Sequence, residues 1–318
     1  MTNLEQILRE NLNNTILHTD FLKISNKTKG KVRDIYDLGN ELLIITTDRL
    51  SAFDVVLTSL PFKGQVLNRL SNFWFENTEH IIKNHILEKP DPNCILVSKT
   101  SVLPIEVIIR GFLTGSAYRD YQKGNSISGI KLPDNMKYNQ KFDQPLFTPS
   151  TKEESGKHDL PISKEEIIAA NLIPKPLLEE LEEKALTLFN YGQKTAEAKG
   201  LIMVDTKYEF GLKNNELVLI DEIHTPDSSR YWFKDTYDEL YAKGEEQRMF
   251  DKEYVRKWLI DNNYMGNGTP PAIPDQVRIT AANKYIELFK AITDSDIITD
   301  NIQIENRIKN NLVKYNSK

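Results

Sequence analysis

The twelve residues 221–232, DEIHTPDSSRYW, follow directly on the apolar run 217–220, so a buried strand is expected to end in a dense set of charged and hydroxyl groups. Such a loop delivers those groups to a site. Its carboxylates suit a hard cation such as Mg²⁺. Ser228, Ser229 and Arg230 suit a phosphate or carboxylate. His158 and His224 have no nucleophile beside them in the sequence, so neither receives a catalytic role.

Four further segments carry related chemistry. In 205–211, DTKYEFG, strict alternation puts Asp205, Lys207 and Glu209 on one strand face and Tyr208 and Phe210 on the other. A two-residue turn at Asn214-Asn215 would set Glu209 across from Ile220, and an odd register would set it across from Asp221. Two facing carboxylates repel; a bound Mg²⁺ would relieve that, with Lys207 nearby for nucleotide phosphates. A solvent face with cross-strand lysine pairs reads equally from the same alternation. In 106–116, EVIIRGFLTGS, Arg110 leaves the end of a buried strand, Gly111 and Gly115 free the backbone, and Ser116 stands near a helix start. This is an anion cradle, or alternatively an arginine salt bridge at a tight turn. Gly30-Lys31-Val32-Arg33, read as a strand, puts Lys31 and Arg33 on one face behind a glycine that lets a phosphate approach. It is neither a Walker A loop nor a GxGxxG fingerprint, and two solvated strand charges would look the same. In 46–54, TTDRLSAFD, Asp48 and Asp54 suit a substrate amine or a metal's water shell, or else a helix cap or an ion pair with Arg49.

The elements that must position these groups are legible in outline. Leu4, Ile7, Leu8 and Leu12 predict an opening helix, and 30–36, 42–46 and 55–57 predict the strands of an antiparallel N-terminal sheet. Residues 105–109 read as a central strand and 116–123 as a helix, whereas 124–162 lack periodicity and are expected to be irregular. Ser163 to Glu166 match a capping box, Pro176 opens a long helix ending near Gly200, and 201–223 form strands with a hairpin. The tail is helical, with Ile279, Ala282, Ile286 and Phe289 on one face and Ile304, Ile308 and Leu312 on another.

With 318 residues, 39% hydrophobic and 27% charged, the chain has room for two packed lobes. A net charge of −5 argues against nucleic-acid binding. The one cysteine, Cys94, excludes an intrachain disulfide and a thiolate zinc site. The polar N-terminus has no leader pattern, and no apolar run approaches the roughly 20 residues of a membrane span, so a cytoplasmic metabolic protein is expected.

Together, GKVRDIY (30–36), TTDRLSAFD (46–54), EVIIRGFLTGSAY (106–118), FTPSTKEESGKHD (147–159), DTKYEFG (205–211) and DEIHTPDSSRYW (221–232) resemble the SAICAR synthetase family in its longer form. The resemblance implies an α+β, two-lobed fold related to ATP-grasp and kinase-like nucleotide folds. An antiparallel N-terminal sheet and an ATP cleft between lobes are expected, with lobes at 1–105 and 106–318. It implies ATP-dependent ligation of L-aspartate to carboxyaminoimidazole ribotide (CAIR), through an acyl phosphate, with ATP and Mg²⁺. No nucleic-acid or membrane partner is expected, and the chain is expected to be a monomer. A small-molecule kinase and a regulatory nucleotide binder are the rival readings.

Carried over by position, Gly30, Lys31 and Arg33 would meet ATP phosphates, helped by Lys207, although the compact form of the family usually has lysine at the position of Arg33. Val102 to Glu106 would meet the adenine, and Glu209 and Asp221 would hold Mg²⁺. Arg110, Ser116, Ser229 and Arg230 would bind the ribotide, with Asp205 and Asp227 orienting donors. Asp48, Ser51 and Asp54 would line the aspartate and CAIR end. Lys152 and His158 would lie in a loop closing over ATP. Lys207, Arg110 and Asp227 are the residues expected to act in catalysis.

Overall fold

The leucine and isoleucine spacing at the start of the chain forms α1 (Asn3–Glu10), with Leu8 fully buried. Next come β1 (Lys27–Lys29), β2 (Arg33–Asp37), β3 (Glu41–Thr46), β4 (Arg49–Ala52) and β5 (Val55–Ser59), then α2 (Lys63–Thr78), β6 (Ile86–Asp91) and β7 (Cys94–Ser98). Five of these strands make the expected antiparallel sheet, in the order β1-β2-β3-β7-β6, while β4 and β5 pair with each other. The computed structural model describes residues 3–53, 55–152, 159–250, 253–299 and 302–315.

The chain continues through β8 (Ser101–Val102), β9 (Ile105–Leu113), α3 (Gly115–Gln122), β10 (Gln140–Phe147), β11 (Ser150–Thr151), α4 (Lys164–Ala169) and α5 (Lys175–Ala198). Then follow β12 (Leu201–Lys213), β13 (Glu216–Ile220), β14 (Ser229–Phe233) and α6 (Lys234–Lys243). The seven strands form one antiparallel sheet around β12, whose thirteen residues pair with β9, β13, β14 and β8 in turn. Leu178, Leu181, Ala185, Leu188, Phe189 and Ala196 make one buried face of α5, which packs on β12. Each fully buried leucine there contributes about 2 kcal/mol relative to an exposed one. The capping box forms as expected. The Ser163 hydroxyl accepts from the Glu166 amide, and the Glu166 carboxylate accepts from the Ser163 amide.

The tail is α7 (Glu253–Asp261), α8 (Asp275–Thr293), α9 (Ile304–Asn311) and a last turn, Val313–Tyr315. Helix α8 packs on α1, and Ile304, Ile308, Leu312 and Tyr315 share a core with Tyr36, Leu43, Ile45 and Cys94. Buried Arg307 reaches Asp91 at 3.1 Å and Asn93 at 2.6 Å. Contacts accordingly define two units, 1–73 with 85–99 and 251–318, and 74–84 with 100–250. That division differs from a cut at residue 105, because the apolar faces of the tail helices complete the first unit's core. No helix among the described residues is long and apolar enough to cross a membrane.

Three local expectations change. Residues 140–147 and 150–151 are strands on β9 rather than irregular chain; Pro145 and a register shift between Lys141 and Leu146 hide their alternation. Residues 229–233 are also a strand, where a loop was expected. Finally, Gly30 to Val32 form the bend between β1 and β2, so Lys31 sits in a hairpin loop and not on a strand beside Arg33.

Candidate active site

Asp205 is the centre of the first group of site residues. On β12 it pairs with Arg110 of β9 on one side and Arg230 of β14 on the other. Its carboxylate accepts from Arg230 and lies 3.8 Å from the Arg110 guanidinium. Arg110 also donates from Nε to the Thr148 hydroxyl at 3.0 Å, so its orientation is fixed on two sides. Burial lowers the Arg110 pKa and Asp205 opposes that shift. Two guanidiniums sharing one carboxylate leave an excess of positive charge and of N–H donors, which favours a dianion such as a phosphate monoester.

Gly115, the first residue of α3, lies against the Arg230 guanidinium. A Cβ built there would stand 2.6 Å from both terminal nitrogens, at a φ of +58°. The expected result for Gly115→Ala is therefore a displaced Arg230 and about a tenfold weaker affinity for a phosphate monoester held by the arginine pair. Binding titrations with a phosphate monoester check this, and an unchanged affinity would refute it. Gly111 answers to packing instead: a Cβ there would meet Gln193 of α5 at 2.7 Å. Ser116 is half-buried at the start of α3. Ser229 is buried and its hydroxyl lies 2.7 Å from that of Thr206, a contact between β14 and β12.

Lys207 and Glu209 lie further along the same face of β12. Four residues of strand separate Asp205 from Glu209, about 13 Å. The Lys207 ammonium donates to Glu106 at 2.7 Å and to Glu209 at 2.9 Å, and Lys152 also pairs with Glu209. Burial disfavours the ionised Glu209, but Lys207 and Lys152 outweigh it and hold its pKa down at about 2. Burial likewise opposes the charged Lys207, yet Glu209, Asp221 and Glu106 keep its pKa well above the ordinary lysine value. Burial raises the Glu106 pKa despite Lys207. The Asn214-Asn215 turn has two residues, both at positive φ, and it pairs Glu209 with Ile220. Asp221 follows one residue beyond the strand at φ +66°, near enough for its charge to act on Lys207. Glu106, expected near an adenine, is thus a third carboxylate of this cluster. Val102 is exposed on β8. Asp227 is half-buried in the turn that links Thr225 to Ser228.

In the first unit the loop Gly30-Lys31-Val32 is closed by a bond from the Gly30 amide to the Arg33 carbonyl, 2.8 Å. Asp48 is taken up by the backbone. It is fully buried, and its two oxygens accept the amides of Ile16 at 2.7 Å and Gly64 at 2.8 Å, which caps the start of α2. Burial raises its pKa to about 6. Ser51 is half-buried on β4. Asp54 and His158 lie outside the described residues.

His224 belongs to the core. Its Nε2 is 2.5 Å from the Tyr208 hydroxyl, its carbonyl accepts from Tyr231, and Trp74 stands edge-on to its ring. Burial lowers its pKa to about 3. The unfolded chain therefore gains a proton near pH 6.5 that the folded chain refuses until about pH 3. Stability falls as pH drops through that window, by up to about 1.4 kcal/mol per pH unit. His224→Phe is expected to flatten this slope relative to the unchanged protein in denaturant titrations at several pH values. An identical slope in both proteins would contradict a neutral buried His224.

An antiparallel sheet that lines one strand face with paired arginines and then a lysine–carboxylate cluster is suited to phosphorylated, anionic ligands. The chain belongs to the SAICAR synthetase family, whose profile matches residues 26–271. It is 43% identical over 304 residues to a phosphoribosylaminoimidazole-succinocarboxamide synthase of Legionella pneumophila, covering 92% of this chain and 96% of that one. It is 44% identical to the chloroplastic synthase of Arabidopsis thaliana, covering 96% and 77% of the two chains. Among solved structures it matches a SAICAR synthase from Saccharomyces cerevisiae complexed with SAICAR, with a TM-score of 0.76, 35% identity and 87% and 97% coverage. It also matches a type-2 SAICAR synthetase in complex with ADP, with a TM-score of 0.66, 25% identity and 86% and 99% coverage.

Proposed function

We propose that this chain joins L-aspartate to CAIR in de novo purine biosynthesis, consuming ATP and releasing SAICAR, ADP and phosphate. The observation that carries the reading is the face of β12, where Asp205 is bracketed by Arg110 and Arg230 while Lys207 bridges Glu106 and Glu209. The arginine end takes the ribotide phosphate, and Asp205 holds the two guanidiniums apart and aimed. Lys207 is a nucleotide-phosphate element, to which Lys152 adds a further cation, and the Gly30 loop is another. Asp227 orients donors at the ribotide end. The carboxylate of CAIR attacks the terminal phosphoryl group, giving an acyl phosphate that the aspartate amine then opens with loss of phosphate. Such a reaction asks for positioning and charge neutralisation more than for a nucleophile–base pair.

Magnesium fits the donor set. Glu209 and Asp221 offer hard oxygens, and Glu209 is held ionised. Among the described residues no three acids, histidines or cysteines gather as a metal cage, and Mg²⁺ with a nucleotide needs only one or two carboxylates beside phosphates and water. When bound it would neutralise charge on the phosphates. We place the enzyme in the cytoplasm and expect a monomer.

The test is turnover with ATP, Mg²⁺, aspartate and CAIR. ADP release that requires both aspartate and CAIR supports the ligase. ADP release with CAIR alone would indicate a kinase, and ATP binding without turnover a regulator.

A further inference from the structure

The segment 47–49 acts on the loop 30–32 from beneath. Arg49 is 1% exposed at the start of β4. Its Nε donates to the Lys31 carbonyl at 2.9 Å, and one terminal nitrogen donates to the Gly30 carbonyl at 3.0 Å and to Asp34 at 2.8 Å. The other terminal nitrogen donates to the Leu17 carbonyl at 2.8 Å. Thr47 gives both its amide, at 2.9 Å, and its hydroxyl, at 2.8 Å, to the Val32 carbonyl. Asp34 is itself fully buried and fixed by the Thr19 hydroxyl at 2.7 Å and by Lys27 at 3.3 Å.

All three carbonyls of the loop are therefore drawn to donors of one short segment. A planar trans peptide points its N–H opposite to its C=O. Holding those carbonyls from one side turns the amides of Lys31, Val32 and Arg33 toward the other face of the loop. Successive amides aimed the same way make an anion-binding concavity. A buried arginine is a costly way to brace a surface hairpin unless the shape of that hairpin matters. Lysine could not replace it, because one ammonium cannot span four acceptors in a fixed plane.

We infer that Arg49, with Thr47, is a positioning residue for nucleotide binding, presetting the Gly30 loop for the phosphates of ATP although it is buried beneath the loop. This rests on the ATP-dependent reading above, and it gives Thr47 and Arg49 a role at the nucleotide loop, within a segment whose Asp48, Ser51 and Asp54 the resemblance places at the aspartate and CAIR end.

Equilibrium dialysis with ATP and, separately, with CAIR tests it on the whole chain, with melting temperature as a control. Arg49→Lys is expected to weaken ATP binding about tenfold or more and Thr47→Val about threefold, both leaving CAIR affinity within about twofold. A merely structural role would lower the melting temperature, with the ATP and CAIR affinities of the folded protein unchanged or reduced alike. That outcome overturns the inference. If Arg49→Lys does not fold, Thr47→Val decides alone, since it removes one donor and keeps the side-chain volume; unchanged ATP affinity then refutes the idea. Wild-type protein that binds ATP without ligase turnover would sink the proposed reaction and leave this inference to its own variants. Wild-type protein that does not bind ATP would overturn both.

Discussion

Replacing Arg230 with alanine is expected to raise the KM for CAIR by about a hundredfold and the KM for ATP by less than about threefold. The asymmetry follows from position. Arg230 pairs across β14 with Asp205, and its guanidinium is one of two in that group. Its loss removes a planar donor pair worth about 1.5–3 kcal/mol to a charged ligand. It also leaves Asp205 facing only Arg110, 3.8 Å away, so a poorly compensated carboxylate then meets the incoming phosphate. Repulsion adds to the lost attraction, which is why the expected effect exceeds that of Gly115→Ala. Initial rates with each substrate varied in turn measure it. Equal losses for CAIR and ATP would remove Arg230 from the ribotide end.

Glu209→Gln should be more damaging to turnover than to binding. The variant is expected to lower kcat about a hundredfold at limiting Mg²⁺ and to raise the Mg²⁺ concentration for half-maximal rate about tenfold. Glutamine keeps the shape but removes the charge that Lys207 and Lys152 share, leaving Lys207 with Glu106 and Asp221. The substitution carries a second, independent signature. Glu209 is depressed to about 2 from the ordinary 4.5, so its contribution to stability is present above pH 4.5 and is lost as pH falls toward 2. Acid unfolding of the glutamine variant should lack that component. Lys207, whose pKa is raised, contributes below pH 10.5 and is lost only on the alkaline side, so the two arms separate. A magnesium titration identical to wild type would end the assignment of Glu209 as a metal ligand.

Much of this site was legible because a strand repeats every two residues. The alternation Asp205, Lys207, Glu209 needs no partner to be seen, and the Asn214-Asn215 turn is a local preference for positive φ. The Ser163 capping box and the apolar faces of α5, α8 and α9 are local in the same sense. What escaped was decided at a distance. Arg230 reads as part of a polar loop until β12 supplies the edge that makes 229–233 a strand. Asp48 and Ser229 have the side chains of binding residues, yet Asp48 caps α2 and Ser229 pairs with Thr206. The role of Arg49 in bracing the Gly30 loop was invisible because its acceptors are backbone carbonyls, which every residue carries.

Residue types and strand periodicity already set the chemistry on offer: which carboxylates, lysines and arginines exist, and which of them share a strand face. Those follow from side-chain type and from the period of the backbone, both local properties. The partnerships came with the folded chain, namely Asp205 between two arginines, Lys207 between two glutamates and Arg49 under the Gly30 loop. The reason is that a charge takes its role from the nearest opposite charge and from its burial, and both depend on residues far away along the chain.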